Sequence, residues 1–222
     1  MNAETIPVIV VPVLNRYDLL ERCITSIDHP VEHLVIVDNG NQKPVATNPQ
    51  IKNIHILSMP TNLGVGPSWN LGIKSTPYAD GWILLNSDAA FKPGQLQTFY
   101  NNCKPNTITL TNTEPAWCCA WVGSQIVERI GLFSECYVPA YFEDLDYQQR
   151  AEHSKFPVIT VDMQIIHDNS STIMSQPELE TKNHHSFAQN EALHKRRWRT
   201  GTPEAGQWDL MRRKKLGWDI PC

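Results

Sequence analysis

The sequence predicts a layered α/β fold built on a mostly parallel sheet. Continuous apolar and β-branched runs, of which residues 8–13 are the first, are typical of strands buried on both faces of a sheet. Such runs alternate with segments whose apolar residues recur at helical spacing, which indicates βαβ units with right-handed crossovers. With 222 residues, the chain is long enough for one substantial domain with an appendage.

The predicted elements of the first half follow this alternation. They are, in order, strand 8–13, amphipathic helix 17–27, strand 33–37, strand 54–57, a helix that includes 68–73, and strand 81–85.

The second half shows shorter patterns. They predict helix 93–100, strand 107–110, helix 124–130 ended by Gly131, a helix through 145–150, and strand 158–161 leading to 165–167. From Gln176 onward the sequence becomes polar and basic, with a helix from Pro177 or Glu178 to Trp198 that ends at 201–203. We therefore expect a domain over 1–175 and a basic helical appendage over 176–222.

The composition is ordinary for a soluble globular protein, and a cytoplasmic location is the default expectation. No apolar segment is long enough to span a bilayer, and the N-terminus lacks the basic start of a signal peptide. Cys118 and Cys119 are adjacent, and the other four cysteines show no paired short spacing. Reduced, mostly buried thiols are therefore expected rather than a disulfide framework or a zinc site.

Charge is distributed unevenly along the chain. The formal net charge is -4, yet the residues from Lys195 to the end contain eight Lys or Arg and three Asp or Glu. The net charge of this tail is therefore about +5, and that of the remainder about -9. The tail is expected to seek phosphate groups.

Polar residues follow the buried run 81–85. Asn86, Ser87 and Asp88 come directly after it, and ligand crevices of open α/β sheets lie beyond the carboxyl ends of strands. These side chains are therefore predicted to reach such a crevice, although the same residues also suit an ordinary turn or a helix N-cap.

Three carboxylates, Glu143, Asp144 and Asp146, follow the aromatic pair Tyr141 and Phe142. So much charge beside apolar bulk indicates a site that uses it, for a cation, a hydroxyl-bearing ligand or a proton transfer. The alternative is the acidic first turn of a solvated helix.

Several motifs in order resemble family 2 glycosyltransferases with the GT-A fold, particularly the rhamnosyltransferase-like branch. They are VVPVLNR at 10–16, VIVDNG at 35–40, NLGVG at 62–66 with NLGI at 70–73, LLNSD at 84–88, IGLF at 130–133, AYFEDLD at 140–146, and His167. Each motif is weak alone, but their order over residues 6 to 173 is a strong signal. The resemblance implies an inverting transfer from a nucleoside-diphosphate sugar, bound by 1–110, to an acceptor bound by 111–175.

The resemblance places the donor at the ends of the first strands. Asp38 would accept a hydrogen bond from a base N–H or a ribose hydroxyl, and Pro12 and Asn15 would line the opposite wall. Asn62 and Gly64 would lie near the donor phosphates. Simple turns at 38–40 and 62–66 are the alternatives.

Two further positions, Asn70 and Asn86, are also implied to bind the donor. Asn86, Ser87 and Asp88 occupy the place of the family's D-x-D motif, which holds a divalent cation on the donor diphosphate. Asn86 departs from that motif and removes one negative charge, so it is expected to contact sugar or ribose.

Asp88 is the expected metal ligand, with His167 as a second ligand of Mn²⁺ or Mg²⁺. A histidine with a purely structural role is the alternative at His167.

The resemblance assigns the catalytic base to the acidic cluster. Asp144 would remove the proton from the acceptor hydroxyl, and Glu143 would bind the acceptor or orient the loop. Asp146 is expected at the acceptor site or in its support. Of Trp117 and Trp121, one would pack in the core and the other contact the acceptor, with Trp121 the candidate.

The basic tail suggests the acceptor. Arg196 and Arg197 lie in a stretch where cations and tryptophans alternate, as on surfaces that bind nucleic acid or anionic lipid. Compact glycosyltransferases with such an end resemble virus-encoded forms, some of which modify hydroxymethylated bases in DNA, in which case the host cytoplasm would be their location. A solvated basic helix with Trp198 and Trp208 packed on the core is the alternative.

Other functions stay open at this point. A cell-envelope or capsule acceptor is the alternative within the same enzyme class. A nucleotidyltransferase shares a related sheet, but the sequence lacks a Gly-rich loop with Arg and Lys near the first strand. A catalytically inactive, nucleic-acid-binding module of the same fold is compatible with Asn86 in place of Asp.

Overall fold

The computed structural model describes residues 4–168, 177–199 and 201. The strands are β1 (Ile6–Val13), β2 (Val31–Asp38), β3 (Ile51–Ser58), β4 (Gly81–Leu85), β5 (Ala89–Phe91), β6 (Ile108–Thr111), β7 (Cys119–Gly123), β8 (Val158–Val161) and β9 (Ile165–His167). The helices are α1 (Tyr17–Thr25), α2 (Val65–Ser75), α3 (Gln95–Tyr100), α4 (Ser124–Ile130), α5 (Glu143–His153) and α6 (Pro177–Arg199).

A seven-stranded sheet of order β3-β2-β1-β4-β7-β6-β8 forms the centre of the fold. Its described pairs are parallel except those of β7, which runs antiparallel to both β4 and β6. The prediction of a mostly parallel sheet is therefore confirmed.

The register of the sheet brings three strand ends to one edge. Val13 pairs with Asp38, and Asp38 pairs with Ser58, so β1, β2 and β3 end side by side. The segment that follows β4 emerges at the same edge because β4 is parallel to β1. This edge is where the sequence places the donor.

Apolar side chains cover both faces of the sheet, as the continuous apolar strands predict. One core cluster lies under α1 and α3, and the other under α2, α4 and α5. At Gly72 of α2, an added Cβ would lie 2.4 Å from Val10 Cγ1, so the helix could not keep its close approach to β1 with a larger residue.

Two strands differ from the prediction. The segment after Asp88 has the composition of a turn, but Ala89–Phe91 forms β5 and pairs antiparallel with β9. The sequence pattern also does not predict β7, although Cys119–Gly123 is buried throughout. Their compositions hide them: Ala89–Phe91 stands between Asp88 and the turn residues 92–94, and Cys119–Gly123 contains only one β-branched residue.

The described cysteines are free thiols, in line with the expectation from their spacing. Burial raises the pKa of the Cys23 thiol to about 12 and that of the Cys118 thiol to about 11. Cys222 lies outside the described residues. Within the described part of the chain, no helix is both long enough and apolar enough to cross a bilayer.

Candidate active site

Asp38 ends β2 with a fully buried carboxylate whose two oxygens are both engaged. The Tyr17 hydroxyl donates to Oδ1 at 2.5 Å, while the Lys43 backbone N–H at 2.8 Å and the Ser58 hydroxyl at 3.4 Å donate to Oδ2. Burial by itself raises the pKa of Asp38, but these hydrogen bonds outweigh burial and hold the pKa below its ordinary value. An ionised acceptor therefore stands at this strand end.

The neighbouring wall comes from the end of β1 and the start of α1. Pro12 pairs with Val37 near the end of β1, and its side chain is partly exposed. Asn15 is also partly exposed, one residue before Arg16, which adopts a left-handed conformation with φ 55°. Both predicted donor residues thus lie at the edge where Asp38 lies.

A polar network links the ends of β2 and α2. Buried Asn39 donates from Nδ2 to the Ser68 hydroxyl at 2.9 Å and accepts from the Leu63 backbone N–H at 3.0 Å. Asn62 Oδ1 accepts from the Gly64 N–H at 2.9 Å. These bonds shape the loop 62–66, which leads into the N-terminus of α2.

Gly64 is required by the close approach of another segment. Its φ of +89° is in the region that favours glycine, and an added Cβ would lie 2.6 Å from the Pro139 carbonyl oxygen. The Val65 N–H donates to that same oxygen at 2.8 Å. The start of α2 is therefore held against the segment that leads into α5.

The β5–β9 pair brings together the residues predicted to bind a cation. Ala89 pairs with His167, so His167 Nε2 lies 3.1 Å from Asp88 Oδ1 and 3.4 Å from the Asn86 side-chain nitrogen. The 3.1 Å separation is that of an imidazole and a carboxylate in direct polar contact, and the same two groups are ligand types that divalent cations accept. Asp88 and His167 are therefore the residues that would hold a cation here.

The ligand set around that pair is small. Among residues 4–168, 177–199 and 201, no cluster of three or more His, Cys, Asp and Glu side chains is placed to hold a metal ion. His167 Nδ1 is buried without a hydrogen-bond partner. A cation here would take Asp88 and His167 from the protein, and further oxygen ligands from the donor diphosphate.

Arg22 of α1 connects the segments that carry Asp88 and His167. Its Nη2 donates to the Asp88 carbonyl at 2.9 Å and pairs with the Asp168 carboxylate. The Asp168 N–H in turn donates to the Asp88 carbonyl at 3.3 Å. The arginine thus holds the two segments that carry Asp88 and His167, a role that the sequence pattern does not predict.

Glu143 and Asp144 begin α5, beside the first turn of α2. Glu143 is 3% exposed, and its Oε2 is buried without a hydrogen-bond partner. Its Cβ would contact an added Cβ on Gly66 at 3.4 Å, which places it over the first turn of α2. Burial, and then the nearby Asp144 charge, raises the pKa of Glu143 well above its ordinary value.

Asp144 is partly exposed, unlike its neighbour. Burial raises the pKa of Asp144, while the backbone N–H of Leu145, which donates to Oδ1 at 2.8 Å, acts in the opposite direction. A carboxylate with a raised pKa that still reaches solvent is a suitable general base. The two acidic residues thus differ in exposure although they are adjacent.

Asn70 is a correction to the predicted donor contacts. It is 1% exposed, and its Nδ2 donates to the Phe133 carbonyl and to Glu135, each at 2.9 Å. Its Oδ1 accepts from the Phe133 N–H at 2.9 Å. Asn70 therefore ties α2 to the segment after α4 and has no capacity left for a donor.

Trp121 is a second correction, because it lies in the core. It is 2% exposed on β7, packs edge-on against Tyr100, and donates to the Lys104 carbonyl at 2.8 Å. Trp117 is also buried, beside Trp69 and Phe133. Both tryptophans are therefore structural, and the structure removes Trp121 from the candidate acceptor contacts.

Asp146, expected either at the acceptor site or in its support, is fully buried within α5. Its Oδ2 accepts from Arg150 Nε at 2.9 Å, and its Oδ1 accepts from the Tyr137 hydroxyl at 3.3 Å and from Trp198 Nε1 at 3.1 Å. The support role that the sequence left open for Asp146 is the one its contacts indicate.

The basic end of α6 is only partly turned to solvent. Arg196 and Arg199 are exposed, whereas the Arg197 guanidinium lies 5.9 Å from the centre of the Tyr137 ring. Lys195 is ion-paired with Glu191 at 2.7 Å. Trp208 and the basic run 211–215 lie outside the described residues, and the domain boundary at 175 stays a prediction.

The inward face of α6 carries Ser186, Asn190 and His194, which are all buried. Their spacing of four residues, typical of one helix face, is the sequence signal that could have revealed it. A search for hydrophobic periodicity misses this signal because the three residues are polar. Tyr17 and Arg22 carry no comparable signal, since their partners are distant in sequence.

A family model matches the part of the chain that carries the donor-side candidates. Residues 8–111 match the family described as Glycosyl transferase family 2. The matched segment contains Asp38, Asn62, Gly64 and the Asn86 to Asp88 motif. No curated protein matches the chain at a significant level.

Solved structures match over a larger part of the chain. S. aureus TarS 1-349, alone and in complex with UDP, superposes with a TM-score of 0.52 at 14% identity, covering 72% of this chain and 58% of that one. A second S. aureus TarS structure gives the same TM-score and identity over 35% of its length. This likeness shows the GT-A fold that the sequence predicts, over little more than half of TarS 1-349.

Proposed function

We propose that this chain is a glycosyltransferase that moves a sugar from a nucleoside-diphosphate sugar to an acceptor hydroxyl, with inversion at the anomeric carbon. The observation that carries the proposal is the Asp88–His167 pair, 3.1 Å apart at the edge where β1, β2 and β4 end. The match of residues 8–111 to Glycosyl transferase family 2 supports it.

The donor nucleotide would occupy the ends of β1 and β2. Asp38 is an ionised acceptor with both oxygens engaged. A base N–H or a ribose hydroxyl would therefore take the place of the 3.4 Å bond from the Ser58 hydroxyl, with Pro12 and Asn15 beside it. The loop at Asn62 and Gly64 leads to the N-terminus of α2, whose dipole favours phosphate. Since TarS 1-349 has been crystallised with UDP, uridine is the first nucleotide to test.

Asp88 and His167 would hold a divalent cation, which fits the oxygen and imidazole chemistry of the pair. When bound, such a cation neutralises the charge that develops on the leaving nucleoside diphosphate. Arg22 would keep the two segments in register through the Asp88 carbonyl and Asp168.

Asp144 is the proposed base. Its carboxylate takes the proton of the acceptor hydroxyl as the new bond from that oxygen to the anomeric carbon forms, and the bond from the anomeric carbon to the diphosphate oxygen breaks on the opposite face. The raised pKa of Asp144 makes its carboxylate a stronger base than an exposed aspartate. Glu143, whose raised pKa favours the protonated form, would donate a hydrogen bond to a hydroxyl of the substrate.

For the acceptor, we propose a hydroxylated base in DNA. Arg196 and Arg199 are exposed on the last turn of α6, and the tail as a whole is strongly basic. Salt-sensitive binding of duplex DNA in an electrophoretic shift assay is the expected result. Binding to anionic vesicles but not to DNA would instead favour a cell-envelope acceptor.

The test of the donor chemistry is a nucleoside-diphosphate release assay with UDP-, GDP- and dTDP-sugars, each with Mn²⁺, Mg²⁺ or EDTA. We expect metal-dependent release with one donor, and its loss in Asp144→Asn. The matched control is Asp80→Asn, which changes an exposed aspartate at the amino end of β4, away from the site. No release with any donor would refute the transferase proposal and favour an inactive module of the same fold.

A further inference from the structure

The segment that leads into α5 has an unfavourable backbone conformation. Tyr141 and Phe142, directly before Glu143, have φ angles of 77° and 74°. Bulky residues rarely adopt this left-handed region, and they keep it only where the surrounding structure enforces it. Something outside the segment must therefore hold it.

α6 supplies hydrogen bonds to the backbone of this segment. The Asn190 side chain, 5% exposed, donates from Nδ2 to the carbonyl of Ala140 at 2.8 Å, and reaches those of Tyr141 at 3.3 Å and Val138 at 3.4 Å. The Asn190 amide thus lies within hydrogen-bond distance of three backbone carbonyls in and before the strained turn. Without it, these carbonyls would lose a hydrogen-bond donor.

Aromatic side chains of α6 hold the side chains of the same turn. The Phe187 ring lies 5.3 Å from that of Tyr141 and 5.1 Å from that of Phe142, and His194 lies 5.5 Å from Phe142. These centroid distances lie within the range of roughly 4.5–7 Å that is usual for stabilising aromatic pairs. Both residues with positive φ are therefore covered by one helix.

A buried polar network ties α6 to α5 one turn further along. Trp198 donates to Asp146, which also accepts from Tyr137 and from Arg150. The Tyr137 hydroxyl lies 3.2 Å from His194 Nδ1. α6 thus contacts the segment on both sides of Glu143 and Asp144.

We propose that α6 is a brace for the catalytic segment, and that Asn190 is a positioning residue that sets the direction of the Glu143 and Asp144 side chains through the turn at 141 and 142. This inference rests on the proposed transferase function. It assigns to α6 a role in catalysis in addition to any acceptor contact at its basic end.

The brace is tested with Asn190→Ala, which removes the amide, against Gln189→Ala, which changes the exposed neighbour on the same helix. For Asn190→Ala we expect kcat about 10–100-fold lower, because small displacements of a catalytic group can reduce rates by that factor. Donor affinity should change less than kcat, since Pro12, Asn15 and Asp38 lie at the sheet edge, and it is the loop at Gly64 that contacts the segment that Asn190 binds. Gln189→Ala should leave both quantities unchanged.

Hydrogen exchange gives a second readout that does not require activity. In Asn190→Ala the amides of residues 140–146 should exchange faster, while those of β1 and β2 should keep the wild-type rate. Trp198→Phe, which keeps an aromatic ring but loses the bond to Asp146, should act in the same direction and serves if Asn190→Ala does not fold. Faster exchange at 140–146 with unchanged kcat would overturn the positioning role, and unchanged exchange would overturn the brace.

These outcomes separate this inference from the proposed function. A wild-type protein that transfers no sugar from any donor refutes the transferase and, with it, the catalytic part of the brace. An active wild type whose kcat is indifferent to Asn190→Ala refutes the positioning role and leaves the transferase intact.

Discussion

The two sides of the candidate active site shift the pKa values of their acidic groups in opposite directions. On the donor side, Asp38 is buried, yet donors on both carboxylate oxygens keep its pKa below the ordinary value. On the acceptor side, Glu143 is as deeply buried but has an oxygen without a partner, and its pKa is raised. Burial alone therefore does not decide whether a carboxyl group is ionised. The number of hydrogen-bond donors around the group also matters.

The difference suggests a division of work. A carboxylate that stays ionised is suited to hold N–H and O–H groups of a nucleotide, whereas carboxyl groups with raised pKa values are suited to move protons. The two sides also differ in origin, because the donor edge is made by adjacent parallel strands, while the acceptor side depends on α5 and the distant α6.

The largest effects are expected when one aspartate on each side is replaced by asparagine. Asp144→Asn is expected to lower kcat about 10²–10⁴-fold, the usual contribution of a general base, with little change in donor affinity. Asp38→Asn is expected to weaken donor binding about 10–100-fold, as for a lost charged hydrogen bond, with a smaller effect on kcat. Steady-state kinetics and donor titration measure both, and equal effects in both variants would contradict the division.

The second test concerns the support of the acceptor side. Asp146→Ala leaves the buried Arg150 charge without its carboxylate partner, although two backbone carbonyls still accept from it, so the free energy of unfolding should fall by about 3–5 kcal/mol. The control is Glu191→Ala, which breaks an exposed pair with Lys195 and should cost about 0–1 kcal/mol. Denaturant unfolding of both variants is the measurement, and similar midpoints would argue against a buried, energetically important pair.

A third test addresses the charge of the donor side. Tyr17→Phe removes the 2.5 Å hydrogen bond to Asp38 and should reduce stability or donor binding by about 1.5–3 kcal/mol, as for bonds to charged groups. The pKa of Asp38, followed by NMR titration, should rise, because one of the bonds that lower it is lost. A pKa of Asp38 that does not move would mean that Tyr17 does not stabilise the ionised form.

The smallest effect is expected from Glu143→Gln. Because the folded-state pKa of Glu143 is raised, its neutral form stabilises the fold fully below the ordinary Glu pKa of about 4.3, and stability declines as pH rises from there. The variant cannot ionise, so its Tm should exceed that of the wild type increasingly with pH, by about 2–4 °C for each kcal/mol.

Thermal unfolding between pH 4 and pH 8 measures this difference. Glu21→Gln, at an exposed site on α1, is the control and should follow the wild type. A Glu143→Gln variant whose Tm stays parallel to that of the wild type would show that Glu143 is ionised without penalty.

The location of Asp38 and Asp88 at one edge of the sheet could be predicted from the sequence, whereas their binding roles stay predictions. Asp38 ends β2 and Asp88 lies three residues after β4, so strand order alone carries both to one edge of a parallel sheet. Predictions that depended on the orientation of a side chain, toward the site or toward the core, were wrong at two positions. Asn70 and Trp121 carry the polar and aromatic chemistry of ligand contacts, but packing turns both inward.

What the sequence by itself determined is the layered fold and the set of chemical groups, because strand and helix periodicity and the polar strand ends are local signals. Only the tertiary structure decided the partners: the β5–β9 pairing that sets His167 beside Asp88, and the contacts of α6 with the turn before Glu143. The physical reason is that pKa, burial and backbone strain depend on contacts with residues distant in the chain. Hydrophobic periodicity is a local pattern and carries no information about those contacts.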